Sequence, residues 1–195
     1  MKHVILVLFI CLTLFCCQKK ETVLETEKDA LNSVFNNAVD SIYLKIKEKR
    51  NIEKSVKKKT IVIYDSLISE MPSHSEFKAR FSTVKNSYYD TISEKVTPKI
   101  ELSELQKTSD FKYAFKLSIS KDTIAKNFWN SKHALHGILL FSKIRFDKER
   151  KFGAFRCTYI KRDMENVKYK YFSIYIEKEH KKWKLREVKL WNVLR

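Results

Sequence analysis

The chain has 195 residues, 44% of them hydrophobic and 32% charged, with a formal net charge of +17. Two glycines in all, Gly137 and Gly153, exclude a glycine-rich phosphate loop, and a single cysteine beyond residue 17, Cys157, excludes an intramolecular disulfide in the body of the protein. The basic excess is chiefly lysine and accompanies abundant Ile, Asn, Tyr and Phe, residues with AT-rich codons, so it reads as a solvated surface set by composition more than as a polyanion site.

Met1-Lys2-His3 precedes an apolar run over 4–15 broken only by Thr13. The run is shorter than the ~20 residues of a membrane-spanning helix and fits the apolar core of a secretory signal behind a basic start. It ends in Leu14-Phe15-Cys16-Cys17, which resembles the lipobox of bacterial lipoproteins. The resemblance implies cleavage between Cys16 and Cys17, diacylation of the Cys17 thiol, and a mature chain that starts at the lipid. Cys17 is preferred because the residue before the cut must be small, which Cys16 is and Phe15 is not. Two or three acyl chains anchor a protein stably where one is marginal. The expected organisation is a signal over 1–16, a lipidated tether over 17–25 and a single domain over 26–195. Gln18 after the cysteine is not the Asp that retains some lipoproteins in the inner membrane, so an outer-membrane address is expected, which turns the positive charge away from nucleic acid and towards anionic phospholipid, lipopolysaccharide or an acidic protein partner.

Thr26-Glu27-Lys28-Asp29 resembles a capping box, and Leu31, Val34, Phe35, Ala38, Ile42 and Ile46 follow at helical spacing. One amphipathic helix is predicted over 27–49, its stripe facing the core. Residues 50–59 read as a basic connection and 60–64 as a short β-branched strand ending at Asp65-Ser66. Ser73-His74-Ser75-Glu76 can cap a helix carrying Phe77, Phe81, Val84 and Tyr88, with His74 exposed and the remainder of 66–110 a mixture of helix and loop. Phe111, Tyr113, Phe115, Leu117 and Ile119 alternate with Lys112, Ala114, Lys116 and Ser118, the clearest period-two pattern in the chain. A short helix carrying Ile124, Ala125, Phe128 and Trp129 is expected to follow, through about residue 131. Four strands are then predicted over 138–146, 152–161, 168–177 and 182–191, joined by charge-rich connections of hairpin length. The expected fold is α+β, a long N-terminal helix packed on a curved antiparallel sheet.

No constellation names a reaction, and the chain reads as non-enzymatic, with no catalytic residue, metal site or cofactor. His133 and His136 lack a third ligand at metal spacing, and Ser66 lacks a nucleophile elbow. Glu101 and Glu104 read as a solvated helix end. Cys157, the thiol that His133 or His136 would have to serve, alternates with apolar residues and reads as a small buried hydrophobe. One binding face is suggested by Tyr169, Tyr171 and Tyr175, which share a strand face with Ser173 between them, interleaved with Lys168 and Lys170. Aromatic and basic sheet faces stack bases or sugars; the plainer alternative is an amphipathic strand with half-buried tyrosines.

The run over 137–148, then Ala154-Phe155, Tyr175-Ile176-Glu177-Lys178 and Lys182-Trp183-Lys184, resembles a group of Bacteroidota lipoproteins. These share a strand ending in Phe-Asn/Asp-Lys, a paired strand, and a final hairpin with Glu-Lys before Lys-Trp-Lys. The resemblance spans roughly 111–191, and its Trp-containing hairpin also recurs in cystatin-like and NTF2-like α+β folds. It implies an envelope α+β domain and no particular activity. Where other members carry a Cys-Gly pair, this chain has Lys161-Arg162-Asp163-Met164-Glu165-Asn166, so no role of that pair transfers. The functional expectation is a lipid-anchored envelope lipoprotein presenting a small binding domain. An immunity or inhibitor lipoprotein against a toxin or hydrolase is the alternative, ahead of an envelope enzyme.

Overall fold

The computed structural model describes residues 22–47, 59–64, 67, 71–82, 115–120, 135–163 and 166–191. The signal, Cys17, residues 50–58, Asp65-Ser66, Val84, Tyr88, Glu101, Glu104, residues 111–114, the helix expected over 121–131 and His133 lie outside these.

Helix α1, Val23–Lys47, starts one turn earlier than the sequence pattern suggested. Thr22 and Glu25 form the reciprocal cap: the Thr22 N–H donates to Glu25 Oε2 at 2.8 Å, and the Glu25 N–H donates to Thr22 Oγ1 at 3.2 Å. Residues 23–25 are therefore helix and not tether. Released from capping, Thr26 and Glu27 are buried. From there Ala30, Leu31, Val34, Phe35, Ala38, Val39, Ile42 and Ile46 line one face, as their 3.6-residue period requires, and all are buried.

That stripe covers a mixed sheet built from β1 (Lys59–Tyr64), β2 (Phe115–Ser120), β3 (Leu135–Phe141), β4 (Arg145–Phe146), β5 (Phe152–Asp163), β6 (Asn166–Glu179) and β7 (Lys182–Trp191). The strand order is β2-β1-β3-β5-β6-β7, with β4 also paired to β5. The α+β architecture with a long helix on a sheet is as expected. From β3 onward the sheet is antiparallel, but β1 lies parallel to both β2 and β3. The connections over 65–114 and 121–134 are long enough for the crossovers that parallel pairing needs. The core between α1 and the sheet joins Phe35 to Phe141, ring centroids 5.4 Å apart, together with Phe155, Cys157, Phe172, Ile174 and Ile176. Trp183 of the Lys-Trp-Lys hairpin is part of it, packed on Phe146 at 5.3 Å.

The strand expected over 138–146 is broken by a bulge. Phe141 opposes Cys157 and Arg145 opposes Ala154, so β3–β4 carries one residue more than β5 between those pairs. Ser142 bridges the gap, its N–H donating to Arg156 O at 2.9 Å and its hydroxyl accepting from the Arg156 N–H at 2.8 Å. The N–H of Ile144, displaced from the ladder, donates instead to Glu27 Oε1 at 2.6 Å. Burial raises the Glu27 carboxyl above its usual 4.5, opposed by that bond and by the Lys143 charge.

On the other face lies the short helix α2, His74–Arg80, capped by Ser73 and Glu76 as the sequence indicated. Phe77 and Phe81 pack with Ala154, Phe152 and Tyr175 in a second, smaller apolar cluster. A second bulge, in β7 opposite Tyr175 and Ile176, turns Arg186 over the Phe81 ring at 5.7 Å, while Glu187 meets Arg80 at 2.5 Å.

Candidate functional site

The alternation of β6 places Tyr169, Tyr171, Ser173 and Tyr175 on the face that bears α2, and α2 divides them. Tyr175 is covered: 4% exposed, edge-on to Phe81 at 5.9 Å, with the Arg80 guanidinium 5.7 Å from its ring. Its burial pushes the phenol above the usual range. Beyond the helix no described element covers the face, and Tyr169 is 48% exposed with its ring stacked on half-buried Tyr171, centroids 6.4 Å apart and planes within 11°. The aromatic that completes this patch is Trp191, directly opposite Tyr171 in the β6–β7 register and 40% exposed. Tyr175, grouped with the other tyrosines by its spacing, belongs to the packing of α2 instead.

Trp191 is held in place. Its indole N–H donates to Ser173 Oγ at 2.7 Å, and the Arg156 guanidinium sits 5.8 Å from the ring centroid. Arg156 in turn donates to both Glu76 oxygens, at 3.2 and 2.9 Å. Partial burial favours the neutral form of Glu76, but the Ser73 bonds and Arg156 outweigh it and hold the carboxyl below its usual value. The chain Glu76–Arg156–Trp191 thus ties the helix cap to the aromatic patch, and a pre-positioned ring loses little freedom when it binds. The patch offers parallel aromatic planes, phenol hydroxyls at their rim and one cation beside the indole.

Cys157 lies on the opposite face, fully buried under α1, where desolvation pushes its thiol well above the usual 9.0. His136 falls within β3. Among the described residues no three His, Cys, Asp or Glu side chains come together as a metal site, and no helix is long and apolar enough to cross a membrane.

No protein-family model, curated protein or solved structure matches the chain.

Ring planes bind flat ligands by stacking, whatever the ligand's edge carries, and aromatic side chains at such sites contribute about 1–3 kcal/mol each on truncation. Trp191 was absent from the sequence-derived face because its partnership with Tyr171 is fixed by the hairpin register between β6 and β7. Counting back from the 178–181 turn brings Trp191 near Tyr171, and the bulge at Arg186 sets the final pairing.

Proposed function

We propose that the protein is a lipid-anchored envelope lipoprotein whose α+β domain is a non-enzymatic binding module, recognising ligands through Tyr169, Tyr171 and Trp191. The observation that carries this is the stacked Tyr169–Tyr171 pair beside an exposed, braced Trp191. Large exposed aromatics cost solvation unless something covers them, and a cluster of three with a fixed cation is the composition of a recognition surface. Flat, partly apolar rings with polar rims fit it, and the sugar rings of envelope glycans, including those of lipopolysaccharide, have that chemistry.

The position of the patch suits an anchored module. Helix α1 begins at Val23 and the candidate lipid is on Cys17, so the intervening chain reaches at most about 20 Å. The Thr26 hydroxyl meets Arg150 in the turn between β4 and β5, so the helix start and that turn share one end of the molecule. Tyr171 lies eight residues along β6 from its hairpin at Glu179, a distance of about 27 Å at the rise of a strand. The aromatic patch therefore faces away from the anchored end.

Isothermal titration calorimetry of the mature protein with envelope polysaccharide tests the proposal. Tyr171→Ala and Trp191→Ala should each weaken binding by about tenfold or more. Tyr175→Phe should leave it unchanged, and binding should survive ~0.5 M salt. Equal binding by all four proteins would overturn it. An acidic protein partner, as for an immunity or inhibitor lipoprotein, is favoured instead if the same two alanine variants lose binding only to an acidic protein and the interaction disappears in salt.

A further inference from the structure

The end of the domain nearest the tether is built differently from the rest of its surface. Two turns meet there, at 147–151 and 179–182, joined by the Lys178 N–H donating to Lys151 O at 2.7 Å. The first is tied to the start of α1 by Arg150 Nη1 donating to Thr26 Oγ1 at 3.1 Å. Together 147–151 and 178–182 carry Lys148, Arg150, Lys151, Lys178, Lys181 and Lys182 against Asp147, Glu149 and Glu179, six cations less three anions, or +3. Lys148, Lys151, Lys181 and Lys182 are exposed.

The backbone of these turns adds an independent observation. Among the described residues only Arg150, His180 and Lys181 adopt positive φ without being glycine, at 53°, 46° and 67°. All three lie in these two turns. His180 and Lys181 are the adjacent central residues of a tight hairpin turn, with left-handed φ at both, positions that Asn-Gly fills at least cost. Side chains sit here at the expense of conformational strain, and such strain concentrates at functional positions. The first turn is also rigid: buried Asp147 accepts from the Lys151 and Phe152 N–H groups, both at 2.7 Å.

We propose that this end is a membrane-docking surface that engages anionic phospholipid head groups of the leaflet holding the anchor, so that the domain stands upright with its aromatic patch outward. The proposal rests on the lipoprotein assignment. A lipid on Cys17 keeps Val23, one helical turn from the Thr26–Arg150 contact, within about 20 Å of the head groups, where a handful of lysines suffices for association with an anionic surface. The strained lysine then has a reason to be there: glycine would relax the turn and contribute no charge.

The test uses the full mature protein, reconstituted in vesicles of phosphatidylcholine alone or of phosphatidylcholine and phosphatidylglycerol at 7:3. Backbone hydrogen exchange is followed in the two turns, and intact mass on the same sample. Exchange at 147–151 and 179–182 should slow several-fold in anionic relative to neutral vesicles, and the difference should vanish at ~0.5 M salt. Each lysine near the surface is worth about fivefold in the docking equilibrium, so Lys148→Gln, Lys181→Gly and Lys182→Gln combined should abolish the slowing. Lys45→Gln, Lys168→Gln and Lys189→Gln combined should leave it intact. Lys181→Gly alone should raise Tm by about 1–3 °C while weakening docking. Identical exchange in both vesicle types by acylated protein, equal loss by the two triple variants, or a fall in Tm on Lys181→Gly would overturn the proposal. A mass showing no lipid on Cys17 would instead remove the lipoprotein assignment and the docking with it.

Discussion

Glu27 is the most informative single residue to change, because one buried carboxylate closes a bulge 117 residues away in sequence. In Glu27→Ala the Ile144 N–H loses its acceptor, which costs about 1–3 kcal/mol for a buried donor, and the lost side chain adds about 1 kcal/mol of packing. A destabilisation of roughly 2–4 kcal/mol follows, less whatever is gained by removing a desolvated charge. Glu27→Gln keeps the acceptor and removes the titration. Burial raises the folded pKa above 4.5, so the stabilising contribution of the protonated carboxyl is fully present below 4.5 and is lost as pH rises through the folded value. Across that window the parent loses up to about 1.4 kcal/mol per pH unit relative to Glu27→Gln. Chemical unfolding of the three proteins from pH 4 to pH 8 measures this. A parent-to-Gln difference that does not change with pH would refute the burial of an ionisable carboxyl at this position. An alanine variant as stable as the parent would refute its role in the bulge.

Phe35→Asp places a charge between α1 and the sheet, where the ring is 4% exposed and meets Phe141; the expected loss is several kcal/mol, seen as a large drop in Tm by circular dichroism. Gly137→Ala puts a methyl group into the Tyr159 ring and 2.8 Å from Ile160 O, so the variant should melt several degrees lower, and Tyr159→Ala in the same chain should recover part of the difference beyond additivity.

Much of the local structure was legible because it depends on near neighbours. The α1 stripe follows from period 3.6, the α2 cap from Ser73 and Glu76, and the β7 span from a basic connection on one side and alternation along its length. The features that escaped involve partners far apart in sequence. Parallel pairing of β1 with β3 has no local mark beyond the length of the intervening connections. Glu27 looked like a capping residue because acidic residues favour helix starts, and only the bulge at Ser142–Ile144 gives it an interior role. Thr22-x-x-Glu25 carries the same cap signature one turn earlier. In the candidate site, period two grouped Tyr169, Tyr171 and Tyr175 correctly on one face. It could not show that α2 covers the third, or that Trp191 replaces it.

The lipid anchor is the premise on which address, orientation and the direction of the aromatic patch all depend, and intact-mass and peptide mass spectrometry of the mature protein tests it most directly. The mature chain should begin at Cys17 with a diacylglyceryl group on its sulfur, lost in Cys17→Ala and retained in Cys16→Ala. A mature protein that keeps residues 1–16, or that begins elsewhere with an unmodified Cys17, would contradict it.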